Sequence, residues 1–353
     1  MTNPITSLDA SLRLLAWTIV TSFVIALLAV GQNVFAPLVV AVFLWLVMNA
    51  LVDVLARTPG LRAWPSWTRF ALAQVVTLAA IVLLFVFVGD AIARMANDAP
   101  VLQQRLIAAM VQIEQAIGVE IAPAIKGMRE QLDAGKLVSA MVSAVASFAG
   151  MFGLVLVYTL FLFLEQGVFR RKIAALFPDR EKAKGATEML TRVTDVVSRY
   201  IATKFSVATI TGGSAFAILA VAGIENAAFW AFLIFLLDFI PTIGSLAAIV
   251  FATLAALAHY GGVEPALMVG AALAAVQVTM GNVVEPRWMG STLNLSPLAV
   301  ILSLAVWGTI WGTIGLFLAV PLTAAAAIVL AEFEATRPLA IALSLKGGLH
   351  RSE

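Results

Sequence analysis

Few residues in this 353-residue chain are equipped for chemistry, and the ones that are stand in apolar surroundings. Residues 235–245 read FLLDFIPTIGS, with a carboxylate, Asp238, shortly before Pro241 and Gly244. A charge at the bilayer centre costs about 2.5–3.5 kcal/mol on insertion scales. A carboxyl group lowers that cost by holding a proton, and a group that gains and loses a proton inside a membrane can couple protons to transport. Pro241 removes a backbone donor and blocks a carbonyl, so an unbroken helix is not expected here. Lipid tolerates such a break only where protein shelters the freed polar atoms. An acid beside a break in a membrane segment therefore points to a substrate or ion path. The competing role for Asp238 is structural: accepting bonds from the broken backbone at 241–244, or lying at the interface.

Further polar candidates follow. Glu285 and Arg287 flank Pro286, either as an ion pair closing a span or as a gate charge touching a polar solute. Thr242, Ser245, Gln277 and Asn282 are neutral ligands for an ion or a hydroxylated solute, or else ordinary helix–helix hydrogen-bonding groups. Gly308 and Gly312 in GTIWG form a small-xxx-small face for close helix packing. Trp307 and Trp311 fall near that side, as packing or interfacial residues or as the wall of a solute path.

Enzyme constellations do not assemble. The chain has no phosphate-binding G-x-x-x-x-G-K-[ST], no H-E-x-x-H and no G-x-S-x-G. With no cysteine and only His259 and His350, thiolate metal sites are excluded and histidine sites poorly supplied. No cofactor is expected.

The elements that must position these residues are membrane helices. The chain is 62% hydrophobic and 12% charged, with a mean hydropathy of +1.01. A soluble domain is about half apolar and about a quarter charged. The lipid bilayer is thus the expected partner, and a net charge of +2 gives no argument for nucleic acid. Spans are expected at 12–30, 34–55 and 70–88, so residues 1–94 hold spans one to three. Residues 95–140 change character: Leu102, Leu106, Ala109, Ile113 and Ile117 recur at helical steps among polar residues, predicting an extramembrane helical insert with a second helix near 126–136. It caps the bundle or forms an oligomer contact. Residues 141–204 hold span four, closing at Glu165, then a basic loop from Arg170 to Lys184 and an amphipathic surface helix. Basic loops stay in the cytoplasm, which places the N-terminus and the loop Arg57–Arg69 inside and 95–140 outside.

Residues 205–331 form the expected transport core. Span five covers 205–221 and span seven 266–284. Two apolar stretches, 227–257 and 297–330, exceed the roughly 20 residues one span needs. The first is interrupted at Pro241 and Gly244; the second contains Gly308, Gly312, Gly315 and Pro321. Each is a tilted helix or a re-entrant hairpin, and a cytoplasmic tail at 332–353 requires none or two hairpins. Paired interrupted segments are the sequence pointer to a transporter site, so two broken elements with Asp238 nearby are the working expectation. The fold class is all-α: about eight apolar membrane elements, two of them broken or re-entrant, with a small extramembrane insert.

LLDFIPTIGS, followed by NVVEPRWMGSTLNLSPLAVILSLAVWGTIWGTIGLFLAVPL, resembles the autoinducer-2 exporter family of bacterial membrane proteins, to which the PerM proteins also belong. The likeness extends to the order of spans, insert and basic loop. Two positions depart from the family pattern: Thr242 stands where an aromatic residue is frequent, and Gln166 follows the span-four acid Glu165. The resemblance implies a homo-oligomer of the bacterial inner membrane. It also implies gradient-driven export of a small polar solute such as autoinducer-2, or exchange of sodium for protons. A passive channel and a scaffold that moves nothing are the alternatives.

Overall fold

The computed structural model describes residues 18–58, 60, 62–117, 134–177, 179–290, 293–345 and 347. Among the described residues the chain is helical throughout, apart from turns and one bridged pair, Leu295 with Ser344. The elements are α1 (Thr18–Val30), α2 (Gln32–Arg57), α3 (Ser66–Ile117), α4 (Ala134–Leu176), α5 (Arg180–Val221), α6 (Ala227–Leu237), α7 (Ile243–Tyr260), α8 (Val263–Thr279), a π turn (Met280–Val284), α9 (Glu285–Met289), α10 (Pro297–Glu332) and α11 (Arg337–Leu343). Among the described residues, seven helices are long and apolar enough to cross a membrane. Large apolar side chains such as Leu83, Phe161, Leu246 and Met268 are exposed on the isolated chain, as lipid-facing positions require.

Helices run further than the hydropathy pattern suggests. The third apolar stretch does not stop near Arg94: α3 continues through Pro100 to Ile117, about 78 Å of helix at 1.5 Å per residue. The first helix of the 95–140 insert is thus the extension of a span. Gly118, Pro123, Gly127 and most of the second insert helix lie outside the described residues. Glu165 lies inside α4 and pairs with Lys172 two turns on. The surface helix and the fifth span are one continuous α5.

The chain divides into two compact units. The first comprises Met1–Leu46, Leu154–Thr194 and Asn294–Glu353. Its central feature is α10, whose helical path breaks at Gly312, φ 59° and ψ −137°. Beyond that residue the chain doubles back, because the Trp307 indole N–H donates to Thr323 Oγ1 at 3.0 Å. In a straight helix those residues stand about 24 Å apart. A Cβ built on Gly315 would lie 1.8 Å from the Trp307 carbonyl oxygen, so only glycine admits this approach. Pro321 lies buried within the returning arm, in continuous helix. The root is tied to α11 by Ser296 N–H to Leu343 O (2.9 Å) and Leu345 N–H to Asn294 O (3.0 Å).

The second unit comprises Val47–Gly153 and Asp195–Leu293. Here α6 and α7 form another hairpin. At its tip Gly244 packs against Leu237, where an added Cβ would meet the carbonyl oxygen at 1.8 Å. At its root the Tyr260 hydroxyl donates to the Ala222 carbonyl. With 11 residues, α6 is about 16 Å long, too short to cross a hydrocarbon core of about 30 Å. The core of this unit joins α5, the hairpin and α8 through Ala215, Leu219, Ile234, Leu273 and the alanine stripe Ala248, Ala252 and Ala256. Those small side chains, at four-residue steps on one face, let α7 lie close to its neighbours. Gly212 does the same for α5 against Ala231 and Phe235 of α6.

Candidate functional site

The hairpin tip shows how a proline and an acid share a short turn. Asp238 caps α6, its N–H bonded to the Ile234 carbonyl. Phe239 and Ile240 N–H groups reach Leu236 and Leu237, and Gly244 N–H reaches Ile240 at 3.0 Å, so the turn satisfies its own backbone. Thr242 has φ 61° and ψ −58°, and Ile243 N–H bonds to the Pro241 carbonyl at 2.7 Å. This is a γ-turn of the rare, strained hand. Strain of this kind is of order 1–3 kcal/mol, needs support from surrounding structure, and is concentrated at functional sites.

Asp238 does not need to cap that backbone with its side chain, which is 3% exposed and turns into the second unit. Its Oδ1 accepts from Gln277 Nε2 at 2.9 Å. The same amide nitrogen donates to Ser245 Oγ at 2.7 Å. Its Oδ2 accepts no hydrogen bond among the described residues, and the Lys204 ammonium stands 3.4 Å away. That ammonium donates to both oxygens of Glu285, each at 2.8 Å. The chain Ser245–Gln277–Asp238–Lys204–Glu285 thus links α5, the hairpin tip, α7, the end of α8 and the start of α9. Tyr200, 4% exposed and one turn before Lys204 on the same face, lies in the electrostatic field of both carboxylates. With every group ionised, two carboxylates face one ammonium.

A register change brings Gln277 and Glu285 together. Eight residues of regular α-helix would separate their directions by about 80°. The π turn absorbs one residue, leaving about seven steps and a mismatch of about 20°. Its cause is local: Pro286 lacks an N–H and would clash with the carbonyl four residues back. Glu285 N–H instead bonds to Met280 O, five residues back. Rather than stopping at Glu285, the helix continues through Pro286 to Met289.

Of the residues singled out by sequence, Asp238, Ser245, Gln277 and Glu285 meet in one network. Thr242, Asn282 and Arg287 are exposed and stand outside it, Thr242 donating to its neighbour's carbonyl, Pro241 O, at 2.7 Å. Gly312 and Pro321 belong to the first unit. Sequence reasoning missed Lys204, which looks like the last charge of a surface helix. Two signals were available. It continues the stripe Val197, Tyr200, Val207, Ala208 and Thr211 that α5 buries, and no lysine or arginine follows it before Arg287. A small cavity opens beside the network, lined by Thr211, Ala215, Ile234, Ala248, Leu273 and Gln277. Gln277 and Thr211 are its polar edge.

Residues 15–335 match the profile of the AI-2E family transporters. The AI-2 transport protein TqsA of Escherichia coli K12 is 28% identical over 322 residues, covering 89% of this chain and 90% of that protein. A putative transport protein of Haemophilus influenzae is 26% identical, covering 87% of this chain and 89% of its own length. Another from Borreliella burgdorferi is 33% identical over 175 residues, about half of each chain.

Proposed function

The chain belongs to the AI-2E family of membrane transporters, and from that premise we propose that it is a secondary transporter that exports a small polar solute down a cation gradient. The observation that carries this reading is the buried network of Lys204, Asp238 and Glu285. A charged group within a membrane segment is expensive and marks an ion path by default. Structural ion pairs usually balance, whereas here one carboxylate exceeds the available ammonium. A charge excess held in apolar surroundings is relieved by a mobile cation, and relief that depends on conformation is how a gradient drives a cycle.

The two hairpins support the same reading. Discontinuous helices place polar backbone and side chains at membrane depth without exposing them to lipid. In this proposal both hairpins are re-entrant, the protein sits in the bacterial inner membrane, and both termini are cytoplasmic, with the basic loops at 57–69 and 170–184 on the same side.

Reconstitution tests the proposal. Liposomes containing the purified protein are loaded with AI-2, the signal for which the Escherichia coli relative is named. Efflux that requires an imposed proton or sodium gradient supports a secondary transporter. Efflux equally fast without any gradient identifies a passive channel, and none for a panel of small polar solutes leaves a scaffold.

A further inference from the structure

Resting on that reading, we propose that Lys204 is the specificity residue for the coupling ion: its ammonium fills the cation position between Glu285 and Asp238, so that the site takes up a proton on Asp238 Oδ2 and excludes alkali-metal ions. The ammonium already holds the position a metal ion would need, 2.8 Å from both Glu285 oxygens and 3.4 Å from Asp238 Oδ2. A hard metal ion requires a shell of several oxygen ligands. Each Glu285 oxygen accepts from the Lys204 ammonium at 2.8 Å, so a metal ion using the second lone pair of either would stand beside a fixed positive charge. Asp238 Oδ1 and Ser245 Oγ each accept from the Gln277 amide nitrogen, which turns its N–H groups into the site. Ammonium and amide N–H groups only donate, and they repel a metal cation. Asp238 Oδ2, on a residue 3% exposed, accepts no hydrogen bond among the described residues, and the Lys204 ammonium stands 3.4 Å from it.

A metal ion entering here would meet a fixed ammonium, whereas a proton needs only one carboxylate oxygen that accepts no hydrogen bond. The proton also settles the charge: two carboxylates, one ammonium and one proton sum to zero. Among the described residues, the titratable groups set against Asp238 are Tyr200 and Lys204 on α5 and Glu285 at the start of α9, with Ser245 and Gln277 the neutral groups from α7 and α8. Lys204 is itself nine-tenths buried or more, at 2% exposed, so its ammonium cannot leave for solvent without a conformational change. Neutralising Asp238 removes one of its two anionic partners, which is the event that would free the lysine to shift toward Glu285 alone.

The test is ion binding, read as thermal unfolding of the full-length purified protein in detergent. Sodium, lithium and choline chloride are compared at equal ionic strength. Wild type is expected to unfold at the same midpoint in all three. Lys204→Gln is expected to unfold earlier than wild type in choline and to regain midpoint saturably in sodium or lithium, because the vacated position between the carboxylates is then filled by the metal ion. Adding Asp238→Asn should abolish that sodium response. A saturable sodium or lithium shift in wild type overturns the proposal, as does a Lys204→Gln protein that is intact yet indifferent to sodium. If Lys204→Gln is recovered from sodium buffers but not from choline, the proposal stands; if from neither, the wild-type comparison decides by itself. None of these readings requires flux, so a protein that moves no solute defeats the transport reading and leaves ion selectivity to be judged separately.

Discussion

Gln277 and Glu285 lie eight residues apart on one helical path, yet both reach the same buried network, Gln277 at Asp238 and Glu285 at Lys204. The π turn between them corrects the register, and Pro286 imposes that turn. Inserting one alanine between Gly281 and Asn282 should swing Glu285 away by about 100° and unpair Lys204. Deleting Val283 together with Pro286→Ala should restore a straight helix in which seven residues still align the two side chains. Gradient-driven flux is expected to vanish in the insertion and persist in the deletion.

Removing one partner from a buried ion pair leaves an uncompensated charge. Lys204→Met should therefore destabilise the protein by about 3–5 kcal/mol. Glu285→Gln in the same background should return part of that loss, with a coupling of about 0.5–3 kcal/mol expected for residues in direct contact. A double-mutant cycle on reversible unfolding in micelles measures it. Strict additivity would mean that the two side chains do not meet.

The two hairpins depend on glycines that admit no Cβ. Gly244→Ala in the second unit and Gly315→Ala in the first each set a methyl group 1.8 Å from a backbone carbonyl oxygen, at Leu237 and Trp307 respectively. Each tip must then open, and folded yield and melting midpoint should fall sharply. Gly213→Ala is the matched control: nothing lies within 4 Å of its added Cβ, and helix propensity favours alanine by about 1 kcal/mol.

The long continuation of α3 grips the root of the α6–α7 hairpin. Arg105 Nη1 donates to His259 O at 2.8 Å, and Gln112 Nε2 donates to Gly261 O at 3.3 Å. A cation at the C-terminal end of α7 also suits the helix dipole. Arg105→Ala should cost about 1.5–3 kcal/mol, confined to local opening. Hydrogen exchange should accelerate at 257–262 while the 238–244 tip keeps its protection. Unchanged exchange at 257–262 would show that the grip is weak.

Much of this site could be read from residue types. Asp238 beside Pro241 is a local signal, because an acid and a helix breaker in an apolar run each conflict with lipid on their own. Gln277, Glu285 and Ser245 were recognisable as polar groups in apolar segments. Their meeting was not, since it depends on a register shift that no periodicity shows. Lys204 was hidden by position: a lysine just before an apolar run looks like an interfacial anchor, and only tertiary packing turns it inward. The continuity of α3 and α5 was missed for a related reason. Hydropathy marks where lipid ends, whereas a helix ends only at a stop signal. In the second apolar stretch four candidate breakers competed, and the backbone departs from helix only at Gly312.

In the proposed cycle Asp238 links ion entry to solute exit, and simultaneous recording of solute efflux and internal pH in proteoliposomes tests that link most directly. For wild type the cycle predicts efflux that follows an imposed pH gradient with matching proton movement, and for Asp238→Asn the loss of both to the level of protein-free liposomes, with the variant still folded. Undiminished, gradient-driven efflux in Asp238→Asn would contradict it.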